Sequence, residues 1–206
     1  MKQLMLSFIV LANTLVLLPA AEPKVLFHES FDGRMDKGWS WLREDGRTWR
    51  FKDDALEIRA EPGFAHNVKN ALLRPAPDRN QRKIAIEITV TFTTPPTNQY
   101  EQAGLTWYQQ GKPVFKLVHE LVDGATYVFP GKVPTNTRTV QLQLVLSSGK
   151  YEARFRPDGK GEFQTAATGE LPPGTDEQIS LQCYHGPPES EHWMRFDDFR
   201  ILELSE

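Results

Sequence analysis

From residue 84 onward, apolar and polar side chains alternate with a period of 2 in short runs separated by turn residues. Successive side chains on a strand point to opposite faces of a sheet, so each run can bury one face and present the other. Ile84, Ile86, Ile88, Val90 and Phe92 alternate with Ala85, Glu87, Thr89 and Thr91, and Val140, Leu142, Leu144 and Leu146 with Gln141 and Gln143. Tyr151, Ala153 and Phe155 alternate with charged residues, and Ile179, Leu181 and Cys183 with Ser180, Gln182 and Tyr184. Turn chemistry separates the runs at Thr94-Pro95-Pro96, Asp123-Gly124, Ser148-Gly149, Asp158-Gly159 and Pro172-Pro173-Gly174. Helical periodicity is almost absent after residue 21. About a dozen short strands, each with one apolar face, predict an all-β fold: an antiparallel two-sheet β-sandwich, or jelly roll.

The first residues read differently. Met1-Lys2-Gln3 is a short basic start, Leu4 to Leu18 is apolar, and Pro19-Ala20-Ala21 supplies small residues for cleavage. That order predicts a signal peptide over 1–21, cut after Ala20 or Ala21, and a secreted or periplasmic protein with no membrane contact afterwards. A spanning helix is disfavoured because Asn13 and Thr14 interrupt an already short run. Removing 1–21 from 206 residues leaves 185, which suits a single domain over 22–206. The lone Cys183 rules out an internal disulfide and has the parity of a buried thiol. A net charge of −3 with both signs interspersed gives no basic stripe, which argues against nucleic acid as a partner.

Glu101 to Glu120 reads as a hairpin with a Gly111-Lys112-Pro113 turn. Ala103, Leu105, Trp107, Phe115 and Leu117 share one parity, and Gln102, Thr106, Tyr108, Lys116 and Glu120 the other. The second set combines amides, an ammonium, a carboxylate and an aromatic ring, the groups that hold sugar hydroxyls and stack on sugar C–H faces. Gln182 and Tyr184 share that outward parity on a later strand. Gln102, Tyr108, Lys116, Glu120, Gln182 and Tyr184 are therefore the candidate ligand-binding residues, expected to line one exposed, concave sheet face that takes a polysaccharide or oligosaccharide. Trp39, Trp41 and Trp49 read as packing residues.

No catalytic set stands out. Glycoside hydrolysis uses two carboxyl groups roughly 5 to 9.5 Å apart, yet no Glu-x-Glu or Glu-x-Asp pair lies on an alternating strand, and Glu101 and Glu120 have opposite parity. His28, His66, His119, His185 and His192 lack zinc-ligand spacing, and His119 has core parity. A structural calcium is the more plausible metal, because it takes carboxylate oxygens. Glu29 and Asp32 near the start, with Asp197 and Asp198 near the end, are the candidate ligands if the first and last strands are neighbours. Phe196 and Phe199 are three apart, so either a β-bulge at Asp197-Asp198 brings both to the core or one of them covers the outside of the sheet.

Several segments in order carry a resemblance: Gly38-Trp39-Ser40-Trp41-Leu42-Arg43-Glu44, Trp49, Leu56-Glu57-Ile58, Asn70-Ala71-Leu72-Leu73-Arg74 and Gln102-Ala103-Gly104-Leu105. Together they resemble the concanavalin A-like domain at the C-terminus of family 43 β-xylosidases, and Phe196-Asp197-Asp198-Phe199-Arg200-Ile201 resembles the final strand of many such domains. The likeness runs from about Phe27 to Leu202. It implies a jelly-roll sandwich acting beside polysaccharides, usually without catalytic residues of its own, and an acidic residue near the end that often holds calcium. The chain departs from that family in having no glycosidase domain ahead of it, so a role in completing a neighbour's active site is not carried over. Sugar binding without catalysis is the leading expectation. The alternatives are a hydrolase or lyase of the same fold, or a structural or protein-interaction domain in which loops such as Gly63 to Asn70 fill the concave face and no polysaccharide binds.

Overall fold

The computed structural model describes residues 22–205; the expected signal peptide lies outside them. The strands are β1 (Lys24–Glu29), β2 (Ser40–Leu42), β3 (Trp49–Phe51), β4 (Leu56–Arg59) and β5 (Ala71–Pro75). Then come β6 (Ile84–Phe92), β7 (Gln102–Gln109), β8 (Lys112–Val122), β9 (Ala125–Phe129) and β10 (Val133–Thr135). The order ends with β11 (Thr139–Ser147), β12 (Lys150–Pro157), β13 (Gln164–Glu170), β14 (Gln178–Tyr184) and β15 (Trp193–Glu203). Every pairing within the sheets is antiparallel. No helix among the described residues is long and apolar enough to cross a membrane.

The first sheet runs β13-β12-β11-β6-β15-β4-β3, with β1 also on β15. The second runs β10-β9-β8-β7-β14-β5-β2. The alternating apolar sets of both sheets face each other: Ile84, Ile86, Ile88 and Val90 on one side, Leu105, Trp107, Leu117 and Leu181 on the other, all in one core. Trp39, Trp41 and Trp49 pack against that core, half-buried. Trp39 sits edge-on to Phe199 with ring centroids 5.0 Å apart.

Tight turns set the hairpins. Gln110 and Gly111 both have positive φ, 51° and 71°, as do Asp123-Gly124 and Ser148-Gly149. Two successive positive φ angles make the type I′ turn, whose twist matches that of the flanking strands. The β7–β8 turn is therefore Gln110-Gly111, one residue earlier than the expected Gly-Lys-Pro. Pro113 is fixed at negative φ and pairs instead with Tyr108, across an irregularity that leaves Val114 unpaired.

Of the two alternatives for the long strand β15, the structure shows the bulge. Its register against β6 slips between Asp197 and Arg200, and Asp198 has φ 53°. One added residue brings both Phe196 and Phe199 into the core, each fully buried. β15 also pairs with β1, so the first and last strands are neighbours.

Candidate functional site

Strand register brings the six candidate ligand residues onto the outer face of the second sheet. Glu120 lies opposite Gln102, and Gln102 opposite Tyr184. Lys116 lies opposite Thr106, which faces Ser180, and Tyr108 faces Gln178. Parity thus placed all six correctly with respect to the core.

Their exposure is another matter. Five of the six are buried: Gln102, Tyr108 and Gln182 are at most 1% accessible, and Glu120 and Tyr184 are each 4% accessible. Lys116 alone keeps an accessible side chain. The expected open face is corrected here, for two reasons. First, the residues satisfy one another: Lys116 Nζ donates to Gln102 Oε1 and Glu120 Oε2, each at 2.8 Å, and Gln102 Nε2 donates to Tyr100 O at 2.7 Å. Second, residues 61–70 between β4 and β5 lie over part of the face.

That segment is well anchored. Tyr108 OH donates to Ala65 O at 2.8 Å, Arg43 Nε to Val68 O at 2.6 Å, and Phe64 N to Asn67 Oδ1 at 2.7 Å. Gly63 has φ 138°, and a Cβ there would meet Asn67 Oδ1 at 2.9 Å, so the turn needs glycine. The Tyr108 hydroxyl has one proton and also lies 3.0 Å from the Gln182 amide. Gln182 Oε1 also accepts from the Ser180 hydroxyl at 3.1 Å, so the Tyr108 phenol joins the loop carbonyl to a side-chain pair on β14. Tyr108 is thus a post under the loop.

What stays open is a cleft of about 250 Å³. Thr106, Lys116 and Tyr184 line it, Ala65 stands on one side, and Val114 and Phe115 on the other. The Thr106 hydroxyl is buried there with no hydrogen-bond partner in the protein. Around it, Phe64 meets the His185 ring edge-on at 4.8 Å, and His185 lies 5.5 Å from Tyr184 and 6.1 Å from Tyr100. Four large apolar side chains are exposed among the described residues, and three of them (Phe64, Tyr100 and Val114) border this face. A larger cleft of about 380 Å³ lies at the β11–β12 hairpin, beside Lys83, Val145, Lys150 and Tyr151. None of the buried polar atoms that lack a partner lies in that larger cleft.

The electrostatics favour donors over bases. Burial raises the Tyr108 phenol above its usual range. Burial, then the Glu120 carboxylate, raise that of Tyr184 further. Burial lowers the His185 imidazole, with Glu120 opposing that shift and Lys116 adding to it. Glu101 points away from this set: its carboxylate takes His192 Nδ1 at 2.7 Å and the Thr97 and Asn98 amides at 2.9 and 3.2 Å.

The four calcium candidates do not converge. Glu29 accepts the Phe31 and Asp36 amides at 3.0 and 2.7 Å and Trp39 Nε1 at 3.2 Å, so it holds the loop after β1. Asp32 takes the Ser30 hydroxyl at 2.7 Å. Asp198 binds His28 and Arg200 at 2.9 and 2.8 Å, and Asp197 lies 3.4 Å from Arg195. Among the described residues no group of three or more His, Cys, Asp or Glu is placed to hold a metal. Both Glu29 oxygens are taken by N–H donors and the three aspartates are held by separate partners, so these residues form no ready set of ligands for calcium.

Tyr100, Thr106, Val114 and His185 were not named as ligand residues from the sequence, while Phe64 and Ala65 belong to the loop of residues 63–70 expected to fill the face if no sugar binds, and that loop covers part of it. Thr106 had the right parity all along. Phe64 could have been noticed as a lone large apolar residue in the turn-rich Pro62-Gly63-Phe64-Ala65-His66-Asn67.

No protein-family model and no curated protein matches the sequence. Solved structures do match in shape. The GH43 BlXynB protein from Bacillus licheniformis superposes with a TM-score of 0.67 at 17% identity, over 85% of this chain and 39% of that one. A xylan beta-1,4-xylosidase from Bacillus halodurans C-125 gives 0.64 at 15% identity, over 93% of this chain and 41% of that one. The CBM2 module of the evolved Dit of Lactobacillus casei BL23 phage J-1 gives 0.55 at 10% identity, over 89% and 97%. The chain spans about two fifths of the length of the first two. At these identities the likeness shows the fold, an antiparallel two-sheet β-sandwich.

Proposed function

We propose that the protein is an exported carbohydrate-binding module that holds a neutral glycan in the cleft over Thr106, Lys116 and Tyr184, beside the Phe64, Tyr100 and His185 rings. The observation that carries this reading is the buried hydroxyl of Thr106, which has no partner in the protein and belongs to a residue lining a cleft with Lys116, Tyr184 and Val114. A buried hydroxyl without a partner is costly, and a ligand that supplies one recovers that cost. Sugars offer both hydroxyls for such a floor and C–H faces for the rings.

A neutral ligand follows from Lys116, whose charge Glu120 already matches at 2.8 Å. Binding is preferred over catalysis because Glu120 is paired with Lys116, Glu101 is committed to His192, and both phenols are held protonated. The β-sandwich fold, shared with a CBM2 module and a xylosidase, is consistent with a glycan partner.

The test is calorimetric titration of residues 22–206 against a panel of neutral polysaccharides. Thr106→Val and Lys116→Ala are each expected to weaken binding about tenfold, the scale of one hydrogen bond to a ligand. No binding across the whole panel would refute the proposal.

A further inference from the structure

The outer face of the second sheet is closed on one side and open on the other. Toward β14 and β5 it carries Ser180, Gln182, Ala71 and Leu73, all buried. Ala65 stands over that half, its carbonyl tied to the Tyr108 hydroxyl at 2.8 Å. Toward β9 the same face continues to Phe129, opposite Val118, and Tyr127, opposite Glu120, both half-buried. Phe129 also lies under the Lys116 ammonium, 5.7 Å from its ring centroid. A polymer crossing the strands would need both sides clear, and here Ala65 stops it at β14. The space before the stop, about 250 Å³, is smaller than the roughly 300 to 1,000 Å³ of pockets that hold drug-sized ligands, so it suits one sugar ring.

Resting on the glycan reading above, we infer that the cleft captures the end of a glycan chain. One terminal sugar sits against Ala65 over Thr106, and the units that follow leave over Phe129 and Tyr127. The site recognises chain ends and does not grip a chain along its length.

Stoichiometry tests this directly. The wild-type protein is titrated with neutral xylose-, glucose- and mannose-based oligosaccharides, and with the long polymers of the same sugars. End capture gives one protein per chain for oligosaccharide and polymer alike. A number of bound proteins that rises with chain length overturns the inference while leaving glycan binding in place. Failure to bind every oligosaccharide and polymer overturns both. Ala65→Trp, which fills the cleft from its closed side, is expected to weaken binding at least tenfold with an unchanged melting temperature. A folded Ala65→Trp protein that binds as well as wild type would also overturn it.

Discussion

At the scale of single residues, parity decided which way a side chain points, and the partners it met decided what it does. His119 is the clearest case. Its core parity is correct: it is fully buried, with Nε2 2.9 Å from the Thr135 hydroxyl and its ring 4.5 Å from Phe92. Burial lowers its pKa from 6.5 to about 3. The unfolded chain therefore takes up a proton near pH 6.5 that the folded protein refuses until about pH 3. Within that window the unfolded state binds more protons, so stability falls as the pH is lowered. His119→Leu should flatten this part of the curve, read as melting temperature against pH for mutant and wild type. An unaltered slope would mean that His119 is already charged in the folded protein. Glu29 makes the complementary point, because a carboxylate at a strand end suits calcium by type, and only its three N–H donors reveal that it holds a loop instead.

At the scale of elements, the bulge in β15 was legible as one of two alternatives, because two phenylalanines at the wrong spacing need one extra residue between them if both are to be buried. Val90 and Thr89 pair with Phe196 and Asp197, while Glu87 pairs with Arg200, so Asp198 and Phe199 together face Ile88. Deleting Asp198 restores plain alternation and keeps both rings inward, so that variant should fold, losing only the contacts to His28 and Arg200. Deleting Asp197 and Asp198 together reverses the parity and expels one ring, at a cost of about 3 kcal/mol or more. Thermal melts of the two deletions would expose an error here if the single deletion proved as damaging as the double. The β7–β8 turn was misjudged by a residue, because Gly-Lys-Pro looks like a turn until the register shows Lys112 and Pro113 already paired.

At the scale of the whole molecule, the two outer faces differ in kind. On the first sheet, polar side chains pair across strands: Arg50 with Glu57 at 2.7 Å, Gln143 with Glu87 at 2.6 Å, and Arg156 with Gln141 at 2.6 Å. The second face pairs its polar side chains in the same way around Lys116, and differs in the cleft whose lining residue Thr106 has a hydroxyl with no partner in the protein. Arg154→Ala and Arg156→Ala should therefore leave glycan affinity within about twofold of wild type, where a tenfold loss corresponds to roughly 1.4 kcal/mol. A large loss in either would move the site to the first sheet. Chelator treatment should leave the melting temperature unchanged, because packing of the two sheets holds the molecule together. A drop of several degrees in EDTA would show that a metal had been missed.

The alternating pattern alone specified the class of fold and the side of the sheet on which each strand residue lies, and it narrowed the Phe196-Phe199 spacing to two alternatives. All of these follow from the backbone geometry of a strand, which acts over two or three neighbouring residues. That residues 61–70 lie over part of the candidate face came from long-range contacts, because Ala65 and Tyr108 are 43 positions apart and nothing in an alternating pattern encodes that meeting. Which side chains remain accessible depends on such distant contacts, and so does what the face can bind.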